Sequence, residues 1–289
     1  MENITRFTIV GHVDHGKSTL AGQILVLTNT VSLHNLNDKK LSNLLDINKE
    51  EQESGITIES SEIEIIINDK KVIMIDNPGH TNLISECINS ACNSDVGLLV
   101  VSSKLSEFEK GLTGGTIKDN LEILRVAGVP NIIVVYTKTD ISDDEQFNKC
   151  RDKLLPLIYK IGWKNNLQQV KVSGLTGNGF NDLFELLTKE YKLHEVNKNI
   201  KIETNKIVVV KIQIKENIIL TAGYTCLTHI CLLGNHIITQ CEVVKTKKQI
   251  MKKNDVGEIK CKFNSVFEIK GGKCIFRLNN TTVAYGVIE

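Results

Sequence analysis

Apolar residues follow two different rhythms along the chain. In the first part, residues 4–10, 63–67, 72–75, 96–101, 132–136 and 170–172 form short runs rich in Val and Ile, which predict strands. Between them, residues 17–27, 82–92, 117–126, 145–161 and 182–191 carry apolar side chains at helical spacing. Gly128-Val129-Pro130 stops one of these helices, and Asp143-Asp144-Glu145 opens another with acids that offset the helix dipole. Strands alternating with helices predict an α/β domain, a mostly parallel six-stranded sheet with helices on both faces. From about residue 206 the rhythm becomes alternation. Runs at 208–214, 224–233, 236–244, 258–263, 273–278 and 281–288 predict a small all-β barrel. Residues 194–205 are polar and aperiodic and read as a linker. The expected organisation is therefore 1–193, linker 194–205, and 206–289.

Composition sharpens that division. The 289 residues carry a net charge of +1, which argues against coating nucleic acid or membranes through bulk charge. Residues 201–289, however, hold 14 Lys/Arg against 7 Asp/Glu, while the rest of the chain holds 21 against 27. An acidic front precedes a basic back. The longest apolar runs fall far short of the ~20 residues of a membrane helix, and no signal peptide is visible. Eight cysteines are too sparse for a disulfide framework and suit a reducing, cytoplasmic compartment. Lysine far outnumbers arginine, which occurs only at 6, 125, 151 and 277, so lysine clusters carry less weight than usual.

The chemistry begins at Gly11-His12-Val13-Asp14-His15-Gly16-Lys17-Ser18, which fits G-x-x-x-x-G-K-[ST] between a predicted strand and a predicted helix. The glycines let backbone amides approach phosphate oxygens, Lys17 neutralises the terminal phosphates, and Ser18 ligates Mg²⁺. A later strand delivers Asp76, placed to hold Mg²⁺ through water, then Gly79, whose amide can reach the γ-phosphate. Another strand ends in Thr137-Lys138-Thr139-Asp140. The Asp140 carboxylate can accept from guanine N1 and N2 but meets no such donor pair on adenine, which selects GTP over ATP.

Five motifs in this order carry a resemblance: Gly11 to Thr19, Gly55-Ile56-Thr57-Ile58, Asp76-Asn77-Pro78-Gly79-His80, Thr137 to Asp140, and Ser173-Gly174-Leu175. The chain resembles the translational GTPases of the elongation factor Tu and elongation factor 1-alpha family. Ser106-Glu107-Phe108-Glu109-Lys110-Gly111 is similar to their eukaryotic and archaeal branch, including termination and rescue GTPases. The resemblance implies a P-loop GTPase converting GTP to GDP and phosphate, activated by the ribosome or another translation partner. It implies that Thr57 reaches Mg²⁺ when the γ-phosphate is present, that His80 positions the attacking water, and that Val13 and Ile56 flank it. By the same resemblance, Asp14 lies beside a monovalent cation, Lys138 packs its stem along the base, and the Gly174 amide meets guanine O6. His15, Gly16, Thr19, Ser173 and Leu175 complete the nucleotide-binding set.

Three departures stand out. Thr137 replaces the usual Asn, keeping a hydroxyl on a shorter side chain. Ser54 stands where an Arg commonly precedes Gly-Ile-Thr. The chain also passes from the first domain through a short linker into a pattern similar to the family's third domain, so the middle β-barrel is missing. A GTP-dependent docking module or decoy with little turnover is the alternative function. Cys226, His229, Cys231, His236 and Cys241 crowd one stretch, but Cys226 and His229 face opposite sides of a strand and the spacing fits no zinc finger. Lys245, Lys247, Lys248, Lys252 and Lys253 could meet RNA phosphates or form a solvated hairpin. The protein is expected to be a monomer without membrane contact.

Overall fold

The computed structural model describes residues 4–31, 61–76, 84–163, 167–191, 199–203, 206–232, 235–265, 267–270, 272–278 and 281–289. They form two compact units that, apart from the short stretch Val126–Gly128, divide after Leu193.

The first unit is built on a sheet of β1 (Thr5–Gly11), β2 (Ser61–Ile67), β3 (Lys70–Asp76), β4 (Val96–Ser102), β5 (Asn131–Thr137) and β6 (Leu167–Lys171), in the order β2-β3-β1-β4-β5-β6. β2 pairs antiparallel to β3, and the other pairings are parallel. The helices are α1 (Lys17–Leu27), α2 (Ile84–Cys92), α3 (Leu105–Thr113), α4 (Thr116–Ala127), α5 (Asp144–Ile161) and α6 (Phe180–Leu187). β4 is buried along its whole length, which explains why its sequence is continuously apolar rather than alternating. Parallel pairing brings the C-terminal ends of β1, β3, β4, β5 and β6 to one edge, where ligands bind in open α/β sheets.

Asp143 caps α5 by accepting the Gln146 amide at 2.7 Å, as its acidic start predicts. Helix α3 was not expected from periodicity. Its buried residues are Phe108 and Gly111, so the apolar stripe is too narrow to announce a helix, and an internal glycine weakens the signal further. β6 lies at 167–171 rather than 170–172, because an edge strand need bury only one face; Val170 is its one buried residue.

In the second unit, β8 (Val208–Ile214), β9 (Thr225–Leu232), β10 (Asn235–Thr246), β11 (Val256–Phe263), β13 (Lys273–Leu278) and β14 (Thr281–Ile288) close into an antiparallel barrel of order β10-β11-β8-β14-β13-β9. Val208, Val210, Ile212 and Ile214 point inward to a core shared with Phe263 and Phe276, while Lys211 and Gln213 point out. β7 (Asn199–Ile202) pairs with β12 (Phe267–Lys270) in a separate two-stranded sheet. Part of the segment read as linker is therefore a strand. Asn199-Ile200-Lys201-Ile202 alternates, but four residues are too short a run to announce a strand, and β7 gains its hydrogen bonds from a partner more than sixty residues away.

Candidate nucleotide-binding site

Strand β1 ends at Gly11, next to Val100 of β4. A Cβ there would lie 2.4 Å from the Val100 carbonyl oxygen, so only glycine lets the chain leave the sheet this closely. The loop then uses left-handed backbone at Asp14 (φ 64°) and Gly16 (φ 87°). Such turns aim amides into a concavity that favours anions. Gly16 precedes α1 without a side-chain cap, and α1 has no acid in its first turn, so its N-terminal donors face no competing carboxylate. Lys17 Nζ donates to the His12 carbonyl at 3.1 Å, folding the ammonium back over the loop. Ser18 and Thr19 are half-buried on the first turn, whereas Val13 is 42% exposed. This donor set fits a phosphate chain.

His15 is buried and locks the loop from beneath. Its Nδ1 lies 3.3 Å from the Val100 carbonyl oxygen and its Nε2 lies 3.1 Å from that of Glu107. A neutral ring carries one N–H and donates to only one of them. Burial is the chief cause that pushes the His15 pKa down to about 4, outweighing the two carbonyls that favour the cation. His12 is shifted down as well, first by burial and then by the Lys17 charge.

The base-binding motifs meet the loop from the side. Thr137 ends β5, and its hydroxyl donates to the His15 carbonyl at 2.6 Å, with the Val101 carbonyl at 3.3 Å. The threonine thus keeps a tie to the phosphate loop that needs only a short donor. Asp140 Oδ1 accepts the Ser173 hydroxyl at 2.6 Å, and Ser173 Oγ in turn accepts the Thr176 amide at 3.1 Å. This clasp orients the carboxylate from the loop after β6. Gly174 packs so tightly on Thr19 that a Cβ would sit 2.9 Å from its Cγ2, while Leu175 is 76% exposed. Residues 11–19, 137–140 and 173–175 are therefore gathered at one edge of the sheet. Asp76 ends β3, opposite Ile9 of β1. Thr57, Gly79 and His80, with Ser54 and Ile56, lie outside the described residues.

One participant was missed by sequence reasoning. Glu107, on α3, accepts from Lys138 Nζ and from Ser102 Oγ, each at 2.8 Å. Burial pushes its carboxyl pKa up, but the hydrogen bonds and charges of Lys138, Ser102 and Lys104 outweigh this and hold it below the usual value. Its sequence signal is the motif at 106–111, which marks the family branch and by itself assigns no role.

The barrel residues with metal-like chemistry are arranged differently. Cys226 and Cys241 are cross-strand neighbours, and the hydrogen bond between them, then burial, drives the Cys226 thiol pKa far up. His229 and His236 stack at 5.1 Å with Nδ1 and Nε2 2.9 Å apart. Among the described residues, no three such side chains are placed to share a metal ion. Of the lysine cluster, Lys248 pairs with Asp255 at 2.8 Å and Lys253 reaches Glu216 at 4.0 Å. No helix among the described residues is long and apolar enough to cross a membrane.

The strand order, the glycine loop after β1 and the aspartate–serine clasp after β5 and β6 define a P-loop nucleotide-binding domain of the guanine-selective type. The elongation factor Tu GTP binding domain matches residues 2–192, and the chain belongs to that family. It carries the GTP-binding domain of a translation-factor-like GTPase. The chain is 35% identical over 191 residues to the eukaryotic peptide chain release factor GTP-binding subunit of Candida albicans, covering 60% of this chain and 27% of that protein. The Schizosaccharomyces pombe counterpart is 32% identical over 193 residues, 60% of this chain and 29% of that one. The match thus spans less than a third of these relatives. Among solved structures, the Saccharomyces cerevisiae Ski7 GTPase-like domain bound to GTP superposes with a TM-score of 0.74 at 14% identity, covering 99% of this chain and 97% of that chain. A bacterial selenocysteine-specific elongation factor superposes with a TM-score of 0.68 at 17% identity, covering 99% and 58%. Both show a shared fold.

Proposed function

We propose that the protein is a Mg²⁺-dependent switch that binds GTP, closes, and hydrolyses it to GDP and phosphate when the ribosome or a translation factor engages it. The observation that carries this reading is the convergence of Lys17, Thr137, Asp140 and Ser173 on one sheet edge, with the loop tied to the base motif through Thr137 and His15. Residues 1–193 are the GTP-binding domain, the segment 194–205, which includes β7, leads to the β-barrel domain at 206–289, and the middle barrel of the elongation factors is absent between them. Val13, Asp14, His15, Gly16, Lys17, Ser18 and Thr19 hold the phosphates; Thr137, Lys138, Asp140, Ser173, Gly174 and Leu175 hold the base. Ser18, Thr57 and Asp76 are the residues that would hold Mg²⁺, and Asp14 the one that would face a monovalent cation. Bound there, Mg²⁺ would offset the charge that develops on the terminal phosphates. Gly79 contributes its amide to the γ-phosphate, and His80 positions the attacking water.

The residues that hold the nucleotide include no arginine to stabilise the transition state, so unassisted turnover is slow. The basic barrel domain supplies the surface for any RNA contact, and the protein works as a cytoplasmic monomer. The test is GTP hydrolysis with and without ribosomes, for the wild type and His80→Ala. Ribosome stimulation that the substitution abolishes supports the mechanism. Equal, unstimulated rates favour the docking-module reading, in which GTP-dependent binding matters and turnover is incidental.

A further inference from the structure

The motif Ser106-Glu107-Phe108-Glu109-Lys110-Gly111 has no part in the nucleotide chemistry assigned so far, yet it lies on α3 directly beneath the site. Glu107 reaches the nucleotide loops in two ways. Its carboxylate holds the Lys138 ammonium at 2.8 Å and is itself steadied by the Ser102 hydroxyl at 2.8 Å, with Lys104 Nζ at 3.6 Å. Its backbone carbonyl faces His15 Nε2 at 3.1 Å, and the His15 carbonyl takes the Thr137 hydroxyl at 2.6 Å. Neither charge is bathed in solvent, for the Lys138 and Glu107 side chains are 29% and 19% exposed.

Lys138 is placed with unusual care. Its backbone is left-handed, φ 59°, a conformation that non-glycine residues seldom adopt outside functional loops. Its Cε passes 3.9 Å from where a Gly16 Cβ would stand, so the stem crosses the phosphate loop before ending on Glu107. A lysine stem is long and freely rotating unless its head is held. Contacts other than this carboxylate also hold α3. Phe108 is fully buried, Gly111 packs on the His15 ring, and Glu109 pairs with Lys153 at 2.6 Å.

We propose that Glu107 is a positioning residue for the guanine base: by fixing the Lys138 ammonium it lays the lysine stem flat along the face the base occupies, and it joins that stem to the phosphate loop through one helix. The inference rests on the guanine-nucleotide reading above. It states which residue sets the geometry of the base platform, which the family motif leaves open.

The experiment measures release of a fluorescent GDP analogue from the full chain for wild type, Glu107→Ala, Lys138→Met and the double variant. Lys138→Met keeps the stem and removes the charge. Each single substitution is expected to speed release about five- to tenfold, the scale of one partly exposed charge-assisted hydrogen bond. The double variant should release within about twofold of Lys138→Met alone, since Glu107 acts through the ammonium. Competition by inorganic pyrophosphate, which has no base, should be equal in wild type and Glu107→Ala. Wild-type release from Glu107→Ala overturns the proposal. So does an undiminished Glu107→Ala effect in the Lys138→Met background, or an equal loss of pyrophosphate binding. A wild type that binds pyrophosphate but shows no preference for GDP over ADP overturns instead the guanine-nucleotide reading.

Discussion

Thr137 is the sharpest point at which to test how the phosphate loop is held. Its hydroxyl meets the His15 carbonyl at 2.6 Å and the Val101 carbonyl at 3.3 Å, and the residue is 3% exposed, so water cannot take its place. Thr137→Val keeps the shape and removes the donor. Losing a buried hydrogen bond and leaving its acceptor without that donor costs about 1–2 kcal/mol. With a urea slope of about 2 kcal/mol per M, the unfolding midpoint falls by about 0.5–1 M. The chain's single tryptophan makes the assay specific: Trp163 is 2% exposed and lies in the first unit, so its fluorescence follows that unit alone. Thr137→Ser, which retains the hydroxyl, should lose less than half as much. A Thr137→Val midpoint indistinguishable from wild type, or Thr137→Ser falling as far as Thr137→Val, would refute the idea that this bond secures the loop.

Two further outcomes follow from the same geometry. Gly179→Ala places a Cβ 1.9 Å from the Lys171 carbonyl oxygen at a positive φ of 81°, so destabilisation of about 3 kcal/mol or more, or insoluble protein, is expected on urea titration. Gly128→Ala is the control, because its φ of 89° carries a backbone cost but nothing lies within 4 Å of the new Cβ. The second outcome concerns acid. His15 titrates near 4 in the folded protein against about 6.5 when unfolded, so the unfolded state binds more protons between those values. Its neutral ring therefore stabilises fully above about pH 6.5, and that contribution shrinks as pH falls toward 4, by about 2 kcal/mol at pH 5. Trp163-monitored urea midpoints at pH 7 and pH 5 measure the drop, and His15→Asn should flatten this part of the slope.

Much of the fold could be read from residue patterns because each long element had a reason to show itself. β4 and β5 are buried on both faces and so appear as continuous aliphatic runs. The barrel strands alternate because one face meets the core, as at Val208 to Ile214. What escaped was structure whose stability comes from partners distant in sequence. β7 and β12 hold each other across the unit, and each alternates over only four residues, too few to stand out by itself. Helix α3 depends on Phe108 and on a glycine that must be bare to admit the His15 ring. In the site, motif spacing announced Lys17, Asp140 and Ser173, since phosphate and guanine recognition demand fixed residue types. Glu107 was invisible as a functional residue because its meaning lies in reaching Lys138, thirty-one positions away.

The closed ladder of the second unit has a consequence for recognition. In the order β10-β11-β8-β14-β13-β9, β9 returns to pair with β10, so every barrel strand has neighbours on both sides. A barrel without a free edge cannot take up an extended segment from another molecule by adding it as a further strand. Whatever meets the barrel itself must be distinguished by the side chains projecting from its outer wall and end loops. Partner choice can then drift by surface substitution while the strand ladder beneath stays unchanged.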